Sequence, residues 1–220
     1  MTDVIIPIKD LSKAKSRLMG VLTSQQRVDL VLAMLHDLLT TLRSTDVRNI
    51  WLVATDDAVL NVGACFGVTP VKENVAKGYN HAVSIGLSQI NKGTPTVILP
   101  GDLPRATAVD LRALTKSDLR PGIRIVPDHQ NRGTNGLYLS SPDLIGPGFG
   151  ENSFFRHCAR ANQIGLHAKV MPLESLAPDL DTAGDLYALT CASIGKATHT
   201  VIAGIMAAEA LSHQQNREAI

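Results

Sequence analysis

The residues best suited to chemistry cluster just after apolar runs. The run VIIPI leads into "PIKDLSKAKSRL", which carries Lys9, Lys13, Lys15 and Arg17. Lysine and arginine side chains behind a strand supply point charges and fork-shaped donors for a polyphosphate. A solvated basic loop has the same composition, and charge alone leaves both readings open. No G-x-x-x-x-G-K-[ST] occurs there, which excludes a P-loop. Asp102 follows another run, in "LPGDLPRAT". A carboxylate at a strand tip is placed to hold Mg²⁺, which takes oxygen ligands and shares them with substrate phosphates. Its competing role as a helix cap is already filled by Thr107 with Asp110. "APDLDTAGDL" offers Asp179, Asp181 and Asp185. Thr182 and Asp185 match a capping box, so Asp181 is the better second metal ligand.

Three further segments carry polar groups at junctions. "GPGFGENSFFRHCARA" reads as a glycine-rich loop entering a helix near Ser153. The backbone N–H groups there form an anion site to which the Ser153 hydroxyl adds, although Asn152 or Ser153 also suits a plain N-cap. His157 falls one turn on, on the face of Ser153. "PDHQNRGTNGL" is long for a simple hairpin and projects Thr134 and Asn135 toward a crevice, while its residue types also fit an ordinary turn. "ENVAKGYNHAVSIG" sets Glu73, Lys77, Gly78 and Asn80 at a loop-to-helix junction suited to a base or ribose contact.

These segments need a scaffold, and the patterning supplies one. Strand-like runs occur at 3–8, 48–55, 67–71, 95–100, 123–127, 136–140 and 167–172. VIIPI, IWLVA and TVILP are nearly continuous apolar stretches, as in strands covered on both faces. Helical patterns occupy 24–43, 56–65, 78–91, 107–117, 153–164, 182–194 and 199–215, the first opened by Thr23 and Gln26 as a capping box. Strand–helix alternation predicts an α/β/α sandwich with a mainly parallel sheet, and the pair 123–127 and 136–140 predicts some antiparallel pairing. The chain reads as one domain, 1–220, with 197–220 a C-terminal helical tail. In such sheets ligands bind beyond the carboxyl ends of the strands, where the residues above lie.

Composition excludes several classes. With 21 Lys and Arg against 20 Asp and Glu, the net charge of +1 is no footprint for coating nucleic acid, so an anion site must be local. The three cysteines, Cys65, Cys158 and Cys191, form no C-x-x-C pair and read as thiols in a reducing compartment. No apolar run approaches the roughly 20 residues that span a bilayer, and Met1-Thr2-Asp3 lacks a signal-peptide pattern. The expected location is the cytoplasm, with no membrane partner.

Taken in order, "PIKDLSKAKSRL", "VATDD", "GYNHAV", "LPGDLP", "IVPD…RGTNGLYL", "FGENSFFRH" and "DLDTAGDL" resemble the 2-phospho-L-lactate guanylyltransferase family of deazaflavin coenzyme F-420 biosynthesis, over roughly residues 4 to 190. The resemblance implies a nucleotidyltransferase fold, a Rossmann-like sandwich with a mixed sheet. It implies GMP transfer from GTP to 2-phospho-L-lactate, phosphoenolpyruvate or 3-phosphoglycerate, with pyrophosphate released. Carried over by motif, Pro7, Lys9, Lys15, Arg17, Asn80 and Asp102 would meet the nucleotide, with Lys15, Arg17 and Asp102 catalytic. Asp102 and Asp181 would hold Mg²⁺, and Thr134, Gly150 and Ser153 would grip the phosphoacid. Lys13 reads as solvated, and Tyr79 stands where the family usually has leucine. The tail beyond about residue 196 matches no motif, so a homodimer contact and packing on the sheet are both open for it. Competing expectations are another nucleotidyltransferase (molybdenum-cofactor guanylyltransferase or cytidylyltransferase type) and a non-catalytic nucleotide-binding regulator. The first would carry a glycine-rich loop where this chain has lysines, and the second would have no need to retain Asp102 and Asp181.

Overall fold

The computed structural model describes residues 1–117 and 121–218. Seven strands form one sheet: β1 (Thr2–Pro7), β2 (Val47–Ala54), β3 (Thr69–Lys72), β4 (Thr96–Ile98), β5 (Ile123–Pro127), β6 (Thr134–Leu139) and β7 (Lys169–Val170). Their order is β3-β2-β1-β4-β6-β5-β7. All neighbours run parallel except β6, which is antiparallel to both β4 and β5. The hairpin-like pair expected from sequence is therefore the antiparallel element of a mainly parallel sheet.

Alternation along β1 divides the core. Val4 and Ile6 face one side, with α1 (Ser24–Leu42), α2 (Asp57–Ala64), α4 (Ala108–Thr115), α6 (Ala183–Leu189) and α7 (Lys196–Glu218). Ile5 faces the other, with α3 (Tyr79–Ser88) and α5 (Ser153–Gln163). Both faces are covered, which is why β1 reads as an unbroken apolar run. At Gly86 any Cβ would approach Ile5 Cγ2 to 2.6 Å, so α3 lies close against β1 only because that residue is glycine.

Helix α1 begins with the expected capping box: Thr23 accepts from the Gln26 N–H and the Gln26 side chain accepts from the Thr23 N–H. Its stripe of Leu30, Met34, Leu35, Leu38, Leu39 and Leu42 is almost wholly buried. The same helix anchors the tail. Asp37 accepts from the Ala197 N–H at 3.0 Å and the Thr198 N–H at 2.7 Å, satisfying two orphan donors of α7 with a favourably placed negative charge. Ile202 and Ile205 then pack into the core. We expect Asp37→Ala to cost about 2 kcal/mol through the lost cap, measured by denaturant unfolding; an unchanged midpoint would mean that α7 docks by its apolar face alone.

Boundaries differ from the expectations in places. Helix α6 stops at Leu189 instead of 194, and α7 starts at Lys196, so residues 190–195 form a turn that lets α7 reach Asp37. Strand β7 has two residues where six were expected, because it is an exposed edge paired only with β5.

Candidate active site

The connections after β1 and β4 diverge: β1 leads to β2 on one side, while β4 leads to β5 and β6 on the other. This is the topological switch point of the sheet, and its crevice opens beyond the carboxyl ends of the two strands. Pro7 ends β1 and leads to Lys9; the chain after β4 reaches Asp102 four residues on. Gly101 lets the two ends converge, since a Cβ there would run into the Ile8 side chain.

The basic loop after β1 is pinned at defined points. Leu11, Ala14 and Leu18 are buried. The Leu11 N–H donates to Asp56 Oδ2 at 3.0 Å, and buried Arg27 donates to the carbonyls of Ala14 and Leu22. Between these anchors Lys15 takes a left-handed backbone, φ 49° and ψ 43°. That conformation is strained for a residue with a Cβ, by about 1–2 kcal/mol, and it turns the side chain inward. Lys15 Nζ donates to Asp102 Oδ2 at 2.5 Å and to Asp181 Oδ1 at 3.1 Å. Arg17, exposed, reaches Asp181 at 3.4 Å. Burial opposes the Lys15 charge, yet the two carboxylates outweigh it and hold the ammonium above its ordinary range. Asp102 responds in kind: burial pushes its pKa up, and Lys15, with Lys9 beyond it, pulls it below the usual value.

Asp179 stands beside this pair. Burial, then the negative charges of Asp102 and Asp181, push its carboxyl up to about 6. Among the described residues no group of three or more His, Cys, Asp or Glu side chains is arranged to hold a metal. The donors fit an ion that takes one or two carboxylates and fills its shell with water and phosphate, as Mg²⁺ does, and do not fit a closed structural site.

The opposite wall is built from β6 and the loop before α5. Thr134 is buried, and its Oγ1 lies 3.0 Å from His157 Nδ1; the Gly148 N–H donates to His157 Nε2 at 3.2 Å. Arg156 donates to the Gly148 carbonyl, and Arg160 to those of Gly146 and Pro147, each at 2.7 Å. Gly150, at φ 112°, permits the turn into the helix. The helix N-terminus is a poorer anion site than the sequence suggested, because the Ser153 and Phe154 N–H groups are taken by the carbonyls of Gly150 and Arg132. The Ser153 hydroxyl makes no hydrogen bond among the described residues and stays available.

Pro7, Lys9, Lys15, Arg17, Asp102, Thr134, Gly150, Ser153 and Asp181 all line one cleft of about 730 Å³, within the range of small-molecule sites. Lys13, read as solvated, also borders it. Asn80 is not among the residues that line it. Its amide nitrogen donates to the Phe149 carbonyl at 3.0 Å and its oxygen accepts the Phe149 N–H at 2.8 Å, so the side chain holds the loop. Asp179, noted in the Asp-rich stretch without a role, Tyr79, noted only as a departure from the family's leucine, and Arg132, which no motif marked, also line the cleft. Tyr79 sits edge-on to Phe149 at 5.1 Å, with Lys9 Nζ 5.8 Å from its ring centre. Its hydroxyl is buried without a hydrogen-bond partner among the described residues. We expect Tyr79→Phe to raise stability by about 1 kcal/mol and leave turnover unchanged; a loss of activity would show that the hydroxyl serves a substrate.

His157 gives the cleft wall an acid-labile joint. Burial, reinforced by Arg160 and Arg156, lowers its pKa to about 4, against about 6.5 in an unfolded chain. Between those values the unfolded chain binds the proton and the folded one does not. The contribution of His157 is therefore complete above pH 6.5 and falls as pH drops toward 4, by about 3 kcal/mol, while Asp179, held up to about 6 in the fold, contributes with the opposite sign as pH falls through 6. Between pH 6.5 and 4 the denaturant midpoint of His157→Phe should rise relative to that of the wild type; an equal pH dependence in both would place the lability elsewhere.

A mixed, mainly parallel sheet with its switch-point crevice lined by Lys15, Asp102, Asp181 and a basic loop is the arrangement a nucleotidyltransferase requires. Solved structures agree on the fold. A nucleotide-diphospho-sugar transferase from Desulfovibrio desulfuricans superposes with a TM-score of 0.68 at 14% identity, covering 94% of this chain and 95% of that one. A nucleotidyl transferase from Methanothermobacter gives 0.64 at 12% identity, covering 86% and 95%. The family is fixed by sequence: residues 2–216 match the model described as guanylyl transferase CofC like. Among its relatives is a phosphoenolpyruvate guanylyltransferase of Sphaerobacter thermophilus, 36% identical over 86% of this chain and 92% of its own. Another, from Chloroflexus aggregans, is 38% identical over 82% and 93%. The chain belongs to this guanylyltransferase family and is a nucleotidyltransferase enzyme.

Proposed function

We propose that the enzyme transfers GMP from GTP to phosphoenolpyruvate, or to the related acids 2-phospho-L-lactate and 3-phosphoglycerate, releasing pyrophosphate in the biosynthesis of coenzyme F-420. The observation that carries this reading is that one cleft is lined both by cationic and carboxylate groups and by Thr134, Gly150 and Ser153. Phosphoenolpyruvate comes first because the relatives at 35–38% identity are named for it.

A phosphate oxygen of the acid attacks the α-phosphorus of GTP in line; the new P–O bond forms as the bond to the β-phosphate bridge breaks. The attacking group is already an anion at neutral pH, so no protein nucleophile is needed. What the chain supplies is position and charge. Lys9, Lys15 and Arg17 hold the triphosphate, and Thr134, Gly150 and Ser153 orient the acid. Asp102 and Asp181 would hold Mg²⁺, which when bound offsets charge on the triphosphate and the departing pyrophosphate. No helix among the described residues is long and apolar enough to cross a membrane, in keeping with a cytoplasmic reaction between soluble metabolites.

The test is pyrophosphate release from GTP and Mg²⁺ with each of the three acids in turn. Phosphoenolpyruvate should support the fastest release. Release with none of them, at enzyme concentrations where GTP binds, would refute the reading.

A further inference from the structure

The Gly148 N–H can only donate, and it meets His157 Nε2 at 3.2 Å, so that nitrogen is the bare acceptor of the ring. A neutral imidazole then carries its proton on Nδ1, 3.0 Å from Thr134 Oγ1. The hydroxyl must accept that proton's hydrogen bond, which leaves its own O–H to point elsewhere. Thr134 makes no other side-chain hydrogen bond among the described residues, and it lines the cleft.

We propose that His157 is a positioning residue for the phosphoacid: locked as the Nδ1–H tautomer, it commits the Thr134 hydroxyl to donating into the cleft. The surroundings keep the ring in that state. It is fully buried and edge-on to Phe149 at 4.9 Å. The charges facing it are Arg156 and Arg160 of its own helix, while β6 presents the neutral Thr134 hydroxyl and the loop presents the Gly148 N–H and the Phe149 ring. No carboxylate pairs with the ring among the described residues. A donor fixed this way suits an anionic oxygen, carboxylate or phosphate, and costs no reorientation when the acid arrives. A protonated ring would set a second N–H against the Gly148 N–H and part the loop from α5.

This inference rests on Thr134 as a phosphoacid contact, and two experiments separate its fate from that of the proposed function. In substrate-free protein with ¹⁵N-labelled histidine, the ring nitrogens of His157 should show the Nδ1–H pattern at pH 7; an Nε2–H pattern or a rapidly exchanging mixture would overturn the proposal. In steady-state kinetics with phosphoenolpyruvate, Thr134→Val and His157→Phe should each raise the KM for the acid about tenfold, with the KM for GTP within twofold. Thr134→Ser should retain the wild-type value. The double variant should be no worse than the worse single, since both act through one hydroxyl; additive losses would overturn the proposal. If His157→Phe does not fold, the tautomer measurement on the wild type decides. A wild type that uses none of the three acids refutes the proposed function itself.

Discussion

Replacing Asp102 by Asn is expected to abolish guanylyl transfer while the protein remains folded. The amide keeps the size of the carboxylate and can still accept from Lys15, which also retains Asp181. Stability should therefore change little. The formal charge beyond the tip of β4 is lost, and with it one of the two carboxylates that would hold Mg²⁺. A loss of several kcal/mol of transition-state stabilisation corresponds to at least ~10³-fold in turnover. Pyrophosphate release and the affinity for GTP, measured on the same preparation, separate the two effects. An Asp102→Asn enzyme with near wild-type turnover would remove Asp102 from the reaction.

Lys15→Met should damage both catalysis and stability. Methionine keeps an unbranched stem but brings no charge, leaving Asp102, Asp179 and Asp181 together without their shared cation. Breaking a buried pair costs several kcal/mol; because Asp181 is half-exposed, about 2 kcal/mol is expected here. For a chain of this size that lowers the melting temperature by roughly 5 °C. Turnover should fall at least ~10²-fold, since a preorganised charge facing the triphosphate is gone. Mg²⁺ should also raise the melting temperature more in the variant than in the wild type, as a second cation now has a vacancy in charge to fill. A variant as stable as the wild type and equally indifferent to Mg²⁺ would show that Lys15 does not hold the carboxylates together.

Much of this architecture was legible in the sequence because it is locally encoded. The unbroken apolar runs of β1, β2 and β4 report burial on both faces, and Thr23–Gln26 and Thr182–Asp185 report helix starts within four residues. The antiparallel turn of β5 into β6 was visible for the same reason. What escaped was long-range. Lys15 and Asp181 lie 166 positions apart, and nothing near either residue announces their contact. Asn80 and Phe149 lie 69 positions apart, and only the fold brings the Phe149 main chain within reach of the Asn80 amide. The shortness of β7 was hidden too, since pairing at a sheet edge depends on which neighbour is present and not on the run HAKVMP itself.

The loop of residues 146–150 is tied at nearly every peptide: Arg160 holds the carbonyls of Gly146 and Pro147, Arg156 and His157 hold Gly148, and Asn80 holds Phe149. Its ordering cost is met during folding, at roughly 1–2 kcal/mol of backbone entropy per residue, and is not charged again when the acid binds. Encounter with the acid should then behave as the docking of a small anion onto a rigid wall. The association rate would follow diffusion and ionic strength and show no slow closing phase, and proteases should find no cleavage point between α3 and α5 along this loop in the folded enzyme.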